Sequence, residues 1–290
     1  MVATSLVFVG GTDAGKTNFI CRLWMALQAG DGLLKMKGVP QEIGYVESAI
    51  AHIHQGKFAP RTDKNVEVSR TSMTFTVMPS VSGEDACMDV FVPDVHGEVW
   101  ENAVATSELP EQWMAILEGA AAAMLFVRVG SESIVQPLDW VASHELMALA
   151  RGAAPESKMP TQVMLCELLR FLELKLQRDD GDRPRVVVLV TAWDRVDQET
   201  AAAGPGAYLL KQYPLFAHRI SNTTGLEVGV FAASILGGDP EADGEFCDRL
   251  LDVDPATFGS VWMDQSGDTV ESKDFTMPLA WALKRNPDDR

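Results

Sequence analysis

The residues with the clearest chemical potential form a glycine-rich run near the N-terminus, which reads Gly10-Gly11-Thr12-Asp13-Ala14-Gly15-Lys16-Thr17. This spacing is typical of a loop that cradles a polyphosphate. Such a loop turns its backbone N–H groups inward, and the helix that follows adds its positive N-terminal end. Lys16 can reach the terminal phosphates, and the Thr17 hydroxyl can ligate Mg²⁺. The predicted nucleotide contacts here are Gly10, Thr12, Asp13, Ala14, Gly15, Lys16, Thr17 and Asn18.

A second candidate segment reads Val92-Pro93-Asp94-Val95-His96-Gly97-Glu98. An acidic residue at the carboxyl end of a strand beside a phosphate loop can hold Mg²⁺, directly or through water. The glycine three residues after Asp94 offers an N–H that can approach a terminal phosphate. An ordinary turn at the end of a strand is the alternative, because such tetrapeptides are frequent. The position directly after a predicted hairpin favours the metal site.

Two further segments lie at predicted strand ends and could recognise a base. The first reads Thr191-Ala192-Trp193-Asp194, and the Asp194 carboxylate could accept hydrogen bonds from both N1–H and the 2-amino group of guanine. Adenine lacks both donors in that arrangement, so Asp194 would set a preference for guanine. The alternative is an aspartate that caps the next helix. In the second segment, backbone N–H groups near Ser234 and Ile235 could meet the base carbonyl.

The elements that must position these residues alternate in a strand–helix rhythm, which favours a mainly parallel sheet covered by helices. Strands are predicted at residues 5–9, 66–78, 87–92, 122–129, 185–191 and 227–234. Helices are predicted at residues 16–28, 41–55, 111–119, 159–177, 207–220 and 278–284. The strand at 66–78 alternates apolar and polar residues, so we expect it to form an antiparallel hairpin with 87–92 at an edge of the sheet.

The chain shows neither an internal repeat nor a Gly/Ser-rich linker, and its 290 residues suffice for one large domain. We therefore predict a single nucleotide-binding domain at residues 1–240. Residues 131–157 are longer than a simple connection needs, which predicts a helical insertion. Residues 241–290 are predicted to form a C-terminal extension that packs on this domain.

The formal net charge of −17 argues against nucleic acid or an anionic membrane surface as partner, since both are polyanions. A polyphosphate ligand remains compatible, because its site is local and shares its charge with Mg²⁺. The longest apolar run, residues 120–127, ends at Arg128 and is too short to span a bilayer. No basic segment precedes the first strand, so we expect no secretory signal and a cytoplasmic protein.

The four segments, in this order, resemble the motifs of the TRAFAC class of P-loop GTPases, which includes Ras-like and translation-factor G domains. The resemblance covers about residues 5–240. It implies a three-layer, Ras-like α/β fold whose six-stranded mixed sheet is parallel except for one antiparallel edge strand. It also implies GTP or GDP and Mg²⁺ as ligands. Leu23-Trp24, Gly56 and Arg61-Thr62 further resemble bacterial double-GTPase-type families of GTPase-associated conflict, or phage-defence, operons.

The resemblance also assigns roles to residues outside the phosphate loop. By position, Thr62 matches the threonine that senses the γ-phosphate through Mg²⁺, so the expected metal ligands are Thr17, Thr62 and Asp94. Arg61 could neutralise charge on the transferring phosphoryl group, or it could be a solvated loop arginine. The expected catalytic residues are Lys16, Arg61, Thr62, Gly97 and Glu98. Thr191, Trp193, Asp194, Ser234 and Ile235 complete the expected nucleotide site.

Three residues depart from the pattern of that class. Ala192 stands where a lysine stem usually packs over the base, which predicts weaker affinity or compensation by a neighbour such as Trp193. Glu98 stands where many members place a water-orienting glutamine, and a carboxylate near the γ-phosphate predicts hydrolysis that is slow or partner-dependent. Asp13 adds a negative charge within the loop unless its side chain points outward.

The leading hypothesis is a guanine-nucleotide switch that binds GTP with Mg²⁺ and hydrolyses it slowly. The state of residues 31–65 and 94–105, or the C-terminal extension, would be coupled to a protein partner, with bacterial defence as the setting that the resemblance implies. Two alternatives stay open at this point. One is an interaction protein that binds nucleotide without turning it over, and the other is a P-loop enzyme that uses ATP.

Overall fold

The computed structural model describes residues 4–38, 44–59, 72–80, 87–93, 97–131, 134–137, 159–178, 181–265 and 268–283. Its strands are β1 (Thr4–Val9), β2 (Leu34–Met36), β3 (Ser72–Pro79), β4 (Met88–Pro93), β5 (Ala120–Arg128), β6 (Arg185–Thr191), β7 (Glu227–Ser234), β8 (Ser260–Gln265) and β9 (Asp268–Ser272). Its helices are α1 (Lys16–Ala29), α2 (Gly44–His54), α3 (Gly97–Thr106), α4 (Glu111–Glu118), α5 (Thr161–Lys175), α6 (Gln198–Gln212), α7 (Pro214–Asn222), α8 (Gly244–Asp252) and α9 (Met277–Leu283).

One mixed sheet joins these strands in the order β2-β3-β4-β1-β5-β6-β7-β8-β9. The strands from β4 to β7 are parallel, and β3 runs antiparallel to β4. These six strands confirm the predicted sheet, including its antiparallel hairpin. The sheet is nevertheless wider than predicted, because β2 extends it beyond β3 and the β8–β9 hairpin extends it antiparallel beyond β7.

The central strands are buried on both faces, which produces a three-layer fold. Along β1, Leu6 and Phe8 face one apolar cluster while Val7 and Val9 face the other, as the two-residue period of a strand requires. Helices α1, α2, α8 and α9 cover the first face. Helices α3 to α7 cover the second. The continuous β-branched run of β6 is buried throughout, as expected for a strand inside a parallel sheet.

The segment after residue 240 contributes to the same sheet and packs against α1. The guanidinium of Arg22, which is 2% exposed, donates to Ala256 O at 2.5 Å and to Phe258 O at 3.0 Å and lies 4.2 Å from the Phe275 ring centroid. Burial lowers the pKa of Arg22 to about 10, while the nearby Asp254 carboxylate opposes that shift. A domain boundary at residue 240 stays a prediction.

The prediction of a single helix at residues 207–220 is wrong, because α6 ends at Gln212 and α7 begins at Pro214. Proline lacks the N–H that would continue the helix and disfavours a helical conformation at the residue before it. Helix α6 also starts earlier than predicted and is kinked at Gly204. The first part of the predicted strand 66–78 and most of the predicted insertion 131–157 lie outside the described residues. Within the described part, no helix is long and apolar enough to cross a membrane.

Candidate functional site

The phosphate loop, residues 10–17, connects β1 to α1 at the carboxyl edge of the parallel strands. This edge is where ligands bind in open α/β sheets. Gly15 caps α1 in a left-handed conformation with φ 88°, and a Cβ atom there would lie 2.9 Å from Thr191 Oγ1. Glycine is therefore required at this position both by backbone conformation and by space.

The interior of the loop carries a fixed positive charge. Lys16 is 8% exposed, and its ammonium donates to Gly10 O at 2.8 Å and to Gly11 O at 3.0 Å. Thr17 lies half-buried in the first turn of α1, which contains no acidic residue. The helix dipole and the lysine thus act in the same direction, and both favour an anion at this point.

Asn18 connects α1 to the segment that precedes residues 60–71. Its side-chain oxygen accepts a hydrogen bond from Ala59 N at 2.9 Å. This bond engages the side-chain oxygen of Asn18, and its role as a nucleotide contact stays a prediction. Arg61, Thr62 and Asp94 lie outside the described residues, so their predicted roles stay predictions.

The ends of two strands contact the phosphate loop. Arg128, the last residue of β5, donates to Asp13 O at 3.2 Å and pairs with the Asp13 carboxylate. Thr191, the last residue of β6, donates through its hydroxyl to Ala14 O at 2.8 Å. The Asp13 charge is therefore paired with the Arg128 guanidinium. The contact between Arg128 and Asp13 was not predicted from the sequence. Its only indication in the sequence is that a charged residue ends an apolar strand.

Helix α3 begins directly on the phosphate loop. Gly97 is buried, and a Cβ atom there would lie 2.1 Å from Thr12 N. One helical turn later, the Glu101 carboxylate accepts a hydrogen bond from Thr12 N at 2.7 Å. Glu98 lies half-buried in the first turn of the same helix. Sequence reasoning singled out Glu98 and missed Glu101, although a spacing of three residues places both on one helix face.

Asp194 lies in the short 3₁₀ helix Trp193–Arg195 and is exposed. The buried Ser234 hydroxyl donates to Asp194 Oδ1 at 2.6 Å and accepts from Gly237 N at 2.9 Å. The carboxylate is thus held in one orientation from the end of β7. The alternative role of Asp194 as a helix cap is wrong, because Asp197 caps α6 by accepting from Thr200 N at 2.7 Å.

Trp193 faces the core rather than the site. It is 2% exposed, and its ring centroid lies 5.5 Å from that of Tyr208 and 6.4 Å from that of Trp262. The interpretation that its indole replaces a lysine missing at Ala192 is therefore wrong. The backbone of Trp193 remains a predicted contact. Ile235 is also buried, so its side chain faces away from solvent while its N–H stays a predicted contact.

A cavity of about 600 Å³ opens beside the phosphate loop, between α3 and α5. Its walls include Thr12, Glu101, Arg128, Met164 and Tyr213. Lys16 and Asp194 do not belong to its described walls. This cavity therefore adjoins the loop on the side of α3 and α5.

The donors and acceptors along this edge fit a guanosine nucleotide. Lys16 and the start of α1 suit its phosphates, and the buried Thr12 hydroxyl has no hydrogen-bond partner among the described residues. Asp194 offers an oriented acceptor for the base. For Mg²⁺, the described residues contain no cluster of three His, Cys, Asp or Glu side chains. Thr17 is the predicted ligand that the structure describes, and Mg²⁺ bound to phosphates and water needs only one or two protein ligands.

A mixed α/β sheet with a phosphate loop after its first strand and a helix that begins at Lys16 defines a P-loop nucleotide-binding protein. The family model described as Double-GTPase 1 matches residues 7–282 of the chain. The chain belongs to the Double-GTPase 1 family, and it is therefore a GTP-binding protein of the P-loop type. No curated protein matches it. The wider resemblance to the TRAFAC class stays a prediction.

Proposed function

We propose that the protein is a guanine-nucleotide switch that binds GTP with Mg²⁺ and hydrolyses it slowly to GDP. The observation that carries the proposal is the pairing of two features at one edge of the sheet. Lys16 and the start of α1 form an anion site, and Ser234 orients the exposed Asp194 carboxylate. The first feature suits any nucleoside triphosphate, and the second selects guanine.

The side chains of this loop and of α3 support slow hydrolysis. Lys16 would stabilise negative charge on the terminal phosphates, and the Gly97 N–H would approach the same group. Glu101 already contacts the loop at Thr12 N, and Glu98 lies one turn before it. Carboxylates here oppose charge that develops on the transferring group. Mg²⁺, held by Thr17 and by Asp94 and Thr62 as the resemblance implies, would neutralise phosphate charge when bound.

The contact between α3 and the phosphate loop supports a switch. Because Gly97 and Glu101 both touch the loop, a terminal phosphate that occupies it would change the position of α3. Residues 31–65 and 94–105 would pass this change to a protein partner. A cytoplasmic role in bacterial defence is proposed from the resemblance, and the net charge of −17 supports a protein rather than a nucleic acid or membrane as partner.

A second candidate function is an interaction protein that binds GTP and does not hydrolyse it. The specific observation in its favour is the hydrogen bond from Thr12 N to the Glu101 carboxylate. This bond places a negative charge against the loop at the position where turnover would require stabilisation of an anion.

Phosphate release by the purified protein separates these functions. With GTP and Mg²⁺ we expect slow turnover, on the order of 10⁻⁴ to 10⁻² per second. Lys16→Ala should abolish it, and Lys175→Ala is the matched control because Lys175 forms a surface ion pair with Glu118. GTP binding without release over hours would favour the second candidate. Faster turnover of ATP than of GTP would contradict both.

A further inference from the structure

Arg128 and Thr191 are neighbours in the sheet and reach the phosphate loop together. They pair in register at the ends of β5 and β6. Arg128 donates to Asp13 O at 3.2 Å, and Thr191 donates to Ala14 O at 2.8 Å. Two successive carbonyl groups of the loop are therefore held from the same side by two side chains of the sheet.

Holding these carbonyls also sets the direction of the next two N–H groups. In a planar trans peptide, the C=O and the N–H of the following residue point in opposite directions. If Asp13 O and Ala14 O face the strand ends, the N–H groups of Ala14 and Gly15 face the space that the loop encloses. Two adjacent N–H groups aimed at one point form an anion-binding nest.

The backbone at Asp13 needs such support. Asp13 has φ 66°, a left-handed conformation that non-glycine residues adopt at a cost. Its carboxylate pairs with Arg128, and the two side chains are 29% and 26% exposed. The same guanidinium thus holds both the backbone and the charge of the residue that would otherwise be unfavourable beside a polyphosphate.

We infer that Arg128 is a positioning residue of the nucleotide site, which fixes the Asp13 peptide and neutralises the Asp13 carboxylate so that the loop accepts phosphates. This inference rests on the proposed function and deepens it. Arg128 is paired in the sheet with Thr191, the residue before Ala192. It therefore places a cation near position 192, where the alanine side chain carries no charge. In this arrangement Arg128 neutralises Asp13, and Lys16 is the cation that contacts the phosphates of the ligand.

A double-mutant cycle of Arg128→Gln and Asp13→Asn tests the inference, with GTP and tripolyphosphate titrated by calorimetry. Arg128→Gln should weaken binding of both ligands about tenfold, because it leaves Asp13 unpaired beside them. In the Asp13→Asn background, the same substitution should cost about threefold or less. The loss in the single variant should also shrink at high ionic strength, because salt screens the repulsion.

Two controls keep the test decisive. Arg170→Gln removes a surface ion pair with Glu167 and should leave affinity unchanged. Arg128→Lys keeps the charge but cannot form both bonds with the same geometry, so it should give an intermediate loss and serves if the glutamine variant fails to fold. Equal losses from Arg128→Gln in both backgrounds, or no loss at all, would overturn the inference.

Failure of the inference and failure of the proposed function give different results. If the wild-type protein binds tripolyphosphate as tightly as GTP, the proposed guanine-nucleotide switch is wrong. The double-mutant cycle measured with tripolyphosphate then still tests the role of Arg128. If the wild-type protein prefers GTP and Arg128→Gln binds it equally well, only the inference is wrong. If the wild-type protein binds neither ligand, both are wrong.

Discussion

At the scale of single residues, the contact between Gly97 and the phosphate loop is the most constrained feature of the site. A Cβ atom on Gly97 would lie 2.1 Å from Thr12 N and 2.3 Å from Gly11 C. Both are backbone atoms, so the overlap cannot be relieved by turning a side chain. Any side chain at position 97 must therefore push α3 away from the loop.

We expect Gly97→Ala to lower the free energy of unfolding by about 2 kcal/mol, since it forces a packed helix off its neighbour. Gly244→Ala is a matched control, because Gly244 also begins a helix and a Cβ atom there would meet nothing within 4 Å. That control should change stability by less than about 0.5 kcal/mol. Urea unfolding measures both, and equal stability of the two variants would contradict the tight contact.

Site residues that belong to a motif of fixed spacing could be predicted from the sequence. Residues that reach the site by contacts between distant parts of the chain could not. Lys16 and Gly15 follow from the glycine pattern, because the loop needs them at fixed positions in the chain. Arg128 and Glu101 are 115 and 89 residues from their partners Asp13 and Thr12. No local pattern encodes such pairs, so their contacts emerged only once β5 and α3 were placed in space.

At the scale of elements, Glu173 connects α5 to α7 and to the turn before β7. Its carboxylate accepts from Thr223 Oγ1 at 2.6 Å and from Gly225 N at 3.0 Å, and it pairs with Arg219. The hydrogen bond from Thr223, with those from Arg219 and Gly225, lowers the pKa of Glu173 from 4.5 to about 2. These bonds favour the ionised form and hold three elements together on one face of the sheet.

We expect Glu173→Gln to destabilise the protein by about 1 kcal/mol at neutral pH. The pKa of Glu173 is lower in the folded state, so its stabilisation is full above the ordinary value of 4.5 and disappears as the pH falls towards 2. The difference in unfolding free energy between wild type and variant should therefore narrow over that range. Glu167→Gln is the control, because Glu167 lies on the same helix and pairs with Arg170 rather than with Arg219. A difference that does not change with pH would contradict the role of the Glu173 charge.

Helices and strands whose apolar residues follow one clear pattern were predicted. Segments whose residues favour more than one structure were not. The β6 run is continuous and apolar, so it was predicted with its bounds. The break between α6 and α7 depends on Pro214, whose effect outweighed the helical pattern on both sides. The β8–β9 hairpin has a half-exposed pattern at the edge of a sheet, which sequence reasoning interpreted as an extension.

At the scale of the whole molecule, the sheet brings the two halves of the site together. In the proposed site, the loop after β1 would bind the phosphates. Asp194, just after β6, and Ser234, at the end of β7, follow more than 170 residues later in the chain. Residues after 240 complete the sheet through β8 and anchor to α1 through Arg22. The parallel strands and their antiparallel edge were predictable, and the width of the sheet was not.

The proposed guanine-nucleotide switch depends on the selection of guanine by Asp194, and the substitution Asp194→Asn tests this role. Calorimetry of wild type and variant against GTP, xanthosine triphosphate and ATP measures the preference, with Asp197→Asn as control because asparagine caps a helix as well as aspartate does. We expect the wild type and the control to prefer GTP, and Asp194→Asn to prefer the xanthine nucleotide by about tenfold or more. An unchanged preference for GTP in Asp194→Asn, or a wild type that binds ATP as tightly as GTP, would show that Asp194 does not select guanine.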